Sequence, residues 1–158
     1  MSARRLFGLG LLISAVVLSG CSSGSQGAND AGAPWVSMTG SCDAAPKMEI
    51  DTTAAPPTDL VAVDICDGSG APVAEGATVT AHYIGAQLSD GAVFESSWDA
   101  GQPLTIGLDQ VIPGWSQGIP GMKVGGRRLL VIPAELAYGN QGSPSGTLIF
   151  VVDVTAVQ

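Results

Sequence analysis

The chain has 158 residues, of which 46% are hydrophobic, so it is long enough for one ordinary domain with accessory segments. It carries 6 basic and 14 acidic residues, and the few Lys and Arg residues form no basic stripe along the sequence. The length disfavours two domains with separate cores, and the charge distribution gives no support to nucleic-acid binding.

The first twenty residues have the pattern of an export signal. Arg4 and Arg5 precede an apolar run over residues 6–18, and the motif Leu-Ser-Gly-Cys ends at Cys21. This ending resembles a bacterial lipoprotein signal, so residues 1–20 are predicted to be a signal peptide and Cys21 to be lipidated. We therefore expect a protein of the cell envelope, bound to the membrane through a lipid anchor on the extracytoplasmic side. The alternative is an uncleaved anchor, although the apolar run is shorter than the ~20 residues that a spanning helix needs.

Two further cysteines, Cys42 and Cys66, complete the set of three. In an exported chain the oxidising surroundings favour a disulfide between them. The alternative is two unpaired thiols, because a sequence does not give the geometry that a disulfide requires.

Residues 21–58 are rich in small and polar residues and contain few large apolar ones. Such a composition does not bury enough surface to fix its backbone, so this segment is predicted to be a flexible tether. Trp35, Val36 and Met38 interrupt the segment and could dock on the domain or on a partner. The ordered domain is predicted to span residues 59–158.

Alternating and β-branched residues predict six strands in this domain and one short helix between the fourth and the fifth. The strands are predicted over residues 60–66, 76–86, 92–96, 103–108, 127–132 and 147–157, and the helix over 111–119. Pro120 and Gly121 end the helix. These elements imply an α+β fold, with an antiparallel five- to six-stranded sheet curled around one short helix. The predicted core residues are Ile119, Leu130, Ile132, Leu148 and Val152.

The sequence contains none of the motifs for paired carboxylates, a nucleophile with its base, metal ligands or a phosphate loop. Hydrolytic and cofactor-dependent chemistry are therefore disfavoured, and neither a metal nor another cofactor is expected. His82 is the only histidine of the chain. Strand alternation places it on the face opposite Tyr83, which favours a structural role over a catalytic one.

Six segments follow one another in a characteristic order. They are VTAHYIG at 79–85, DGAVFESS at 90–97, VIPGW at 111–115, GGRRLLVIP at 125–133, LAYG at 136–139 and TLIF at 147–150. In this order and spacing, the chain resembles the FKBP-type peptidyl-prolyl cis/trans isomerases over about residues 60–158.

The resemblance implies an isomerase that acts on proline-containing polypeptides and that binds tacrolimus-like macrolides. It implies a catalytic set made of Phe94, Glu95, Ile112 and Tyr138. The implied substrate-binding residues are Tyr83, Leu104, Val111, Trp115 and Phe150. In the family, the Tyr138 hydroxyl and the Ile112 backbone N–H would bind substrate carbonyls.

Three departures from the family pattern affect the expected site. Glu95 replaces the usual Asp, Leu104 stands where an aromatic residue is common, and the loop over residues 139–146 is shorter than usual. We expect one wall of the site to be lower, and macrolides to bind weakly. Two other functions stay open, a low-turnover proline-binding or chaperone-like module and a tethered structural or adhesion lipoprotein.

Overall fold

The computed structural model describes residues 33–158, so the predicted signal peptide and Cys21 lie outside the described residues. In this part of the chain, eight strands and one α-helix follow one another. They are β1 (Val36–Thr39), β2 (Lys47–Ile50), β3 (Val61–Cys66), β4 (Thr78–Gln87), β5 (Val93–Ser96), β6 (Leu104–Gly107), α1 (Pro113–Gly118), β7 (Arg127–Ile132) and β8 (Leu148–Val157).

Six of the strands form one antiparallel sheet in the order β3-β7-β8-β4-β5. β6 also pairs with β4, at Thr78–Ala81, while β5 pairs with β4 further along, at Ile84–Ala86. β4 therefore lies between β8 on one side and two short strands on the other. The sheet and its single short helix confirm the predicted fold class.

The inner face of the sheet packs against α1. The helix begins with a proline at its first position, where no backbone donor is lost, and its Trp115 and Gly118 are buried. A methyl group on Gly118 would lie 2.7 Å from the end of the Leu130 side chain of β7, so a larger residue here would require Leu130 to shift. All five predicted core residues are fully buried in the inner layer.

The outer face of the sheet is covered by a hairpin of β1 and β2, in which Val36 pairs with Ile50 and Met38 with Met48. Val36 and Met38 are each only 4% exposed, and they belong to a second core with residues of β7 and β8. The prediction of a flexible tether up to residue 58 is therefore wrong for the described part of that segment. Its large apolar residues are few, but they alternate and so lie on one face of the hairpin.

A disulfide and side-chain hydrogen bonds hold the loop between β1 and β2 and the segment that follows β2. Cys42 and Cys66 form a disulfide, with their Cα atoms 6.4 Å apart. The guanidinium of Arg127 donates to the backbone carbonyls of Ser41 and Ala44 at 3.1 and 2.6 Å. The Trp35 indole donates to Ala55 O at 2.6 Å. This segment has few apolar residues, and the disulfide and these hydrogen bonds help to order it.

Within residues 33–158, no helix combines the length and the hydrophobicity that a membrane span requires.

Candidate active site

A cavity of about 410 Å³ opens between the start of α1 and the strands β4, β5, β6 and β8. Ten residues line it, namely Tyr83, Glu95, Leu104, Ile106, Gln110, Val111, Ile112, Trp115, Tyr138 and Phe150. The turn into α1 supplies three of them, because Val111 and Ile112 lead directly into the first helical turn, which carries Trp115. The sequence around this turn therefore brings the floor and one wall of the cavity together.

The floor of the cavity is built from aromatic rings packed edge to face. The ring of Trp115 lies 5.3 Å from Tyr83 and 5.3 Å from Phe150, at interplanar angles of 85° and 86°. Phe94 packs on Phe150 in the same way, with ring centroids 5.6 Å apart. Such pairs are worth about 0.5–1.5 kcal/mol each beyond their burial, so the rings hold one another in a fixed shape.

Gly85 of β4 makes room for these rings. It pairs with Phe150 on one neighbouring strand and with Glu95 on the other. A methyl group at this position would lie 2.7 Å from ring carbons of both Phe94 and Phe150. The rings thus pack directly on the backbone of β4, an arrangement that requires glycine.

The backbone of Tyr83 is held by the side chain of Ser97. The Ser97 hydroxyl accepts from Tyr83 N–H at 2.8 Å and donates to Tyr83 O at 3.3 Å. The same hydroxyl lies 3.0 Å from Nδ1 of His82, whose ring stacks on Trp98 at 4.1 Å. His82 points away from the cavity, in agreement with the prediction of a structural role.

Tyr83 and Glu95 are neighbours in the wall of the cavity. Burial raises the pKa of the Tyr83 phenol, and the Glu95 carboxylate beside it raises the pKa further. The phenol is therefore neutral at physiological pH, and the exposed Glu95 is the one charged side chain among the described residues that line the cavity.

Tyr138 and Ile112 are placed where they can donate to a ligand. Tyr138 is 52% exposed at the rim. Among residues 33–158, the Ile112 backbone N–H donates to no other backbone group. The short loop after Tyr138 is closed by a hydrogen bond from Gly146 N–H to Gly139 O at 2.9 Å, and Ser145 N–H joins it to β4 by donating to the Gln87 side chain at 3.1 Å. The ring of Tyr138 therefore stands beside a compact loop, with about half of the residue's surface exposed.

The structure brings eight of the nine predicted site residues into the cavity lining, and Phe94 stands behind them against Phe150. Ile106 and Gln110 were missed. Ile106 is two residues after Leu104 on β6, so strand alternation could have identified it. Gln110 lies in the loop before Val111, and no pattern in the sequence points to it. Groups of three or more His, Cys, Asp or Glu residues that could hold a metal are absent from the described part of the chain.

A cavity with an aromatic floor, hydrogen-bond donors at its rim and no nucleophile beside a base defines a site that can enclose a small ring without covalent chemistry. The chain belongs to the family of FKBP-type peptidyl-prolyl cis-trans isomerases, whose sequence pattern matches residues 70–155.

Individual relatives agree with this assignment. The chain is 49% identical over 120 residues to an FK506-binding protein of Streptomyces anulatus, a match covering 70% of this chain and 97% of that protein. It is 49% identical over 113 residues to a probable FK506-binding protein of Corynebacterium glutamicum, covering 69% and 95%. The crystal structure of FkpA from Escherichia coli superposes with a TM-score of 0.59 at 41% identity, over 64% of this chain and 49% of that one.

The hairpin β1–β2 and both cysteines of the disulfide lie before residue 70, where the family match begins.

Proposed function

We propose that this isomerase assists the folding of exported or envelope proteins and that it is held at the membrane by a lipid on Cys21. The disulfide between Cys42 and Cys66 carries this proposal, because such bonds persist in oxidising compartments outside the cytoplasm. The export-signal pattern over residues 1–20 supports it independently. Uncatalysed prolyl isomerisation takes ~10–100 s, which leaves newly exported chains open to aggregation, so a tethered catalyst has a physical purpose.

The cavity acts on the X-Pro bond through binding alone. Rotation about this bond loses amide resonance, and the barrier of ~18–20 kcal/mol involves no bond cleavage. The proline ring packs on Trp115 between Tyr83 and Phe150, while Tyr138 and the Ile112 N–H donate to substrate carbonyls. The planar amide carries more charge on its oxygen than the twisted amide does, so a water-poor aromatic site penalises the ground state more than the transition state.

A second function, a proline-binding or chaperone-like module with little turnover, is favoured by the short loop after Tyr138 and by Glu95 in place of Asp. The same short loop offers less contact to tacrolimus-like macrolides, so these ligands bind more weakly than to relatives with a long loop. Side-by-side titration of this protein and a long-loop relative tests the macrolide expectation, and equal affinity would refute it.

Isomerase assays on a proline tetrapeptide separate the two functions. The catalyst accelerates isomerisation well above the uncatalysed rate, and Tyr138→Phe lowers the rate by about tenfold or less, since one neutral hydrogen bond is worth ~0.5–1.5 kcal/mol. A module with little turnover shows no acceleration but suppresses aggregation of a refolding client. A structural lipoprotein does neither.

Membrane attachment is tested by fractionating cells that express the full chain or its Cys21→Ala variant. The parent is expected in the membrane fraction and the variant outside it. Retention of the variant on membranes, with unchanged mass, would refute the lipid anchor and indicate an uncleaved membrane anchor instead.

A further inference from the structure

The charge at the mouth of the cavity comes from one side chain. Glu95 lies on β5 opposite Gly85, which places its carboxylate on the same face of the sheet as the aromatic rings. Glu95 is exposed, and the other nine lining residues are uncharged at neutral pH. A ligand that fills the cavity therefore meets a single, negative charge beside the bound ring.

The positive charges of the described chain lie elsewhere. Arg127 is buried in an ion pair with Asp153, and Arg128 is bound to Asp64 on β3. Lys47 belongs to the hairpin on the outer face of the sheet, and Lys123 lines a separate small recess with Arg128. Among residues 33–158, none of the basic side chains lines the cavity to neutralise Glu95.

The background field has the same sign. Arg4, Arg5 and Asp30 lie outside the described residues, so 4 of the 6 basic and 13 of the 14 acidic residues belong to the described chain. Asp109 precedes Gln110 on the loop that leads to Val111, which adds a second negative charge on an element of the same site. A cationic ligand is attracted by Glu95 and by this wider field, and an anionic ligand is repelled by both.

We infer that the site selects prolines that are flanked by Lys or Arg, and that Glu95 is the residue which determines this specificity. The inference rests on the proposed isomerase function and names its substrate class, cationic proline-containing segments. Because Glu95 is exposed, its attraction for a flanking charge is screened by water, and a preference of about threefold per unit charge is expected at low salt. Lys and Glu peptides should then differ by roughly tenfold in kcat/KM.

The test uses proline tetrapeptides that carry Lys, Gln or Glu at the position before or after the proline. Exchange between cis and trans forms is measured by NMR, which avoids a coupling protease with a charge preference of its own. The expected order for the parent protein is Lys above Gln above Glu, at one or both positions. At ~1 M salt the ordering should collapse, because the screening length falls to about 3 Å.

Two variants separate a local effect from net charge. Glu95→Gln should bring the Lys-to-Glu ratio of kcat/KM close to one, whatever its effect on absolute turnover. Asp90→Asn removes the same charge from the turn between β4 and β5, away from the cavity lining, and should keep most of the parent's ratio.

Three outcomes would overturn the inference. Equal turnover of Lys and Glu peptides by the parent would refute the selectivity while leaving the isomerase function intact. A ratio that survives in Glu95→Gln would refute the role of Glu95. Absence of turnover with every peptide would refute the isomerase function itself, and the selectivity with it.

Discussion

Arg127 and Asp153 face each other across β7 and β8 as a two-bond ion pair, with both N···O distances at 2.6 Å and side-chain exposures of 3% and 12%. The same guanidinium holds the hairpin loop through Ser41 O and Ala44 O. The pair thus joins the sheet to the hairpin that covers its outer face.

Asp153→Asn is expected to cost about 3–5 kcal/mol of unfolding free energy, because it leaves the buried Arg127 charge without its partner. The matched control is Asp64→Asn, which breaks the ion pair to Arg128 at a carboxylate whose side chain is 49% exposed. That change should cost no more than ~1 kcal/mol. Urea unfolding measures the free-energy loss of both variants, and equal losses would show that the buried Arg127 ion pair contributes no more than the exposed Arg128 pair.

Met38→Ala tests whether the hairpin is an integral part of the fold. Met38 is buried against the outer face of the sheet, so truncation should lower the unfolding free energy by about 2–5 kcal/mol. Ser37 is the exposed neighbour on the same strand, and Ser37→Ala should stay within ~0.5 kcal/mol of the parent. A Met38→Ala variant as stable as the Ser37→Ala variant would mean that the hairpin contributes nothing to stability.

Gly85→Ala should disturb catalysis through the aromatic rings. The added methyl group pushes against Phe94 and Phe150, so a stability loss of about 1–3 kcal/mol and a lower kcat/KM are expected. Adding Phe94→Leu to this variant relieves the contact with Phe94 but not the one with Phe150, so it should recover part of the stability without recovering activity, because the water-excluding ring is lost. Full activity of Gly85→Ala alone would contradict the requirement for glycine.

Ionisation of Tyr83 should lower the stability of the fold at alkaline pH. Its pKa is raised above the ordinary value of 10.0, so the unfolded chain loses this proton first. The stabilisation that the protonated Tyr83 phenol contributes is present below about pH 10, and it is lost as the pH rises through the higher pKa of the folded state. Tyr138→Phe leaves Tyr83 as the one tyrosine, and its ultraviolet titration should start at higher pH in the folded variant than in urea. Identical titrations in both states would refute the burial argument.

Much of the sheet could be predicted, because alternation on β4 and the apolar runs of β7 and β8 are local signals. The cavity residues could be predicted only together, from the order of the family motifs. Gln110 was missed because it lies in a loop that carries no such motif. The hairpin was mispredicted because Val36 and Met38 gain their burial from partners over 90 residues away in β7 and β8. The sequences of β7 and β8 did contain a sign that the outer face is covered, because both strands are apolar on both faces. Strands that are apolar on both faces indicate that both faces of a sheet are covered.

Catalysis of prolyl isomerisation by the aromatic cavity is tested by rate measurements on the parent, Phe94→Ala and Phe150→Ala. Each variant must first show a folded circular dichroism spectrum, since loss of a core ring costs about 3–5 kcal/mol. We expect the parent to catalyse well above the uncatalysed rate and both variants to be at least tenfold slower, because water enters the site. A parent at the uncatalysed rate, or folded variants as fast as the parent, would contradict catalysis by this cavity.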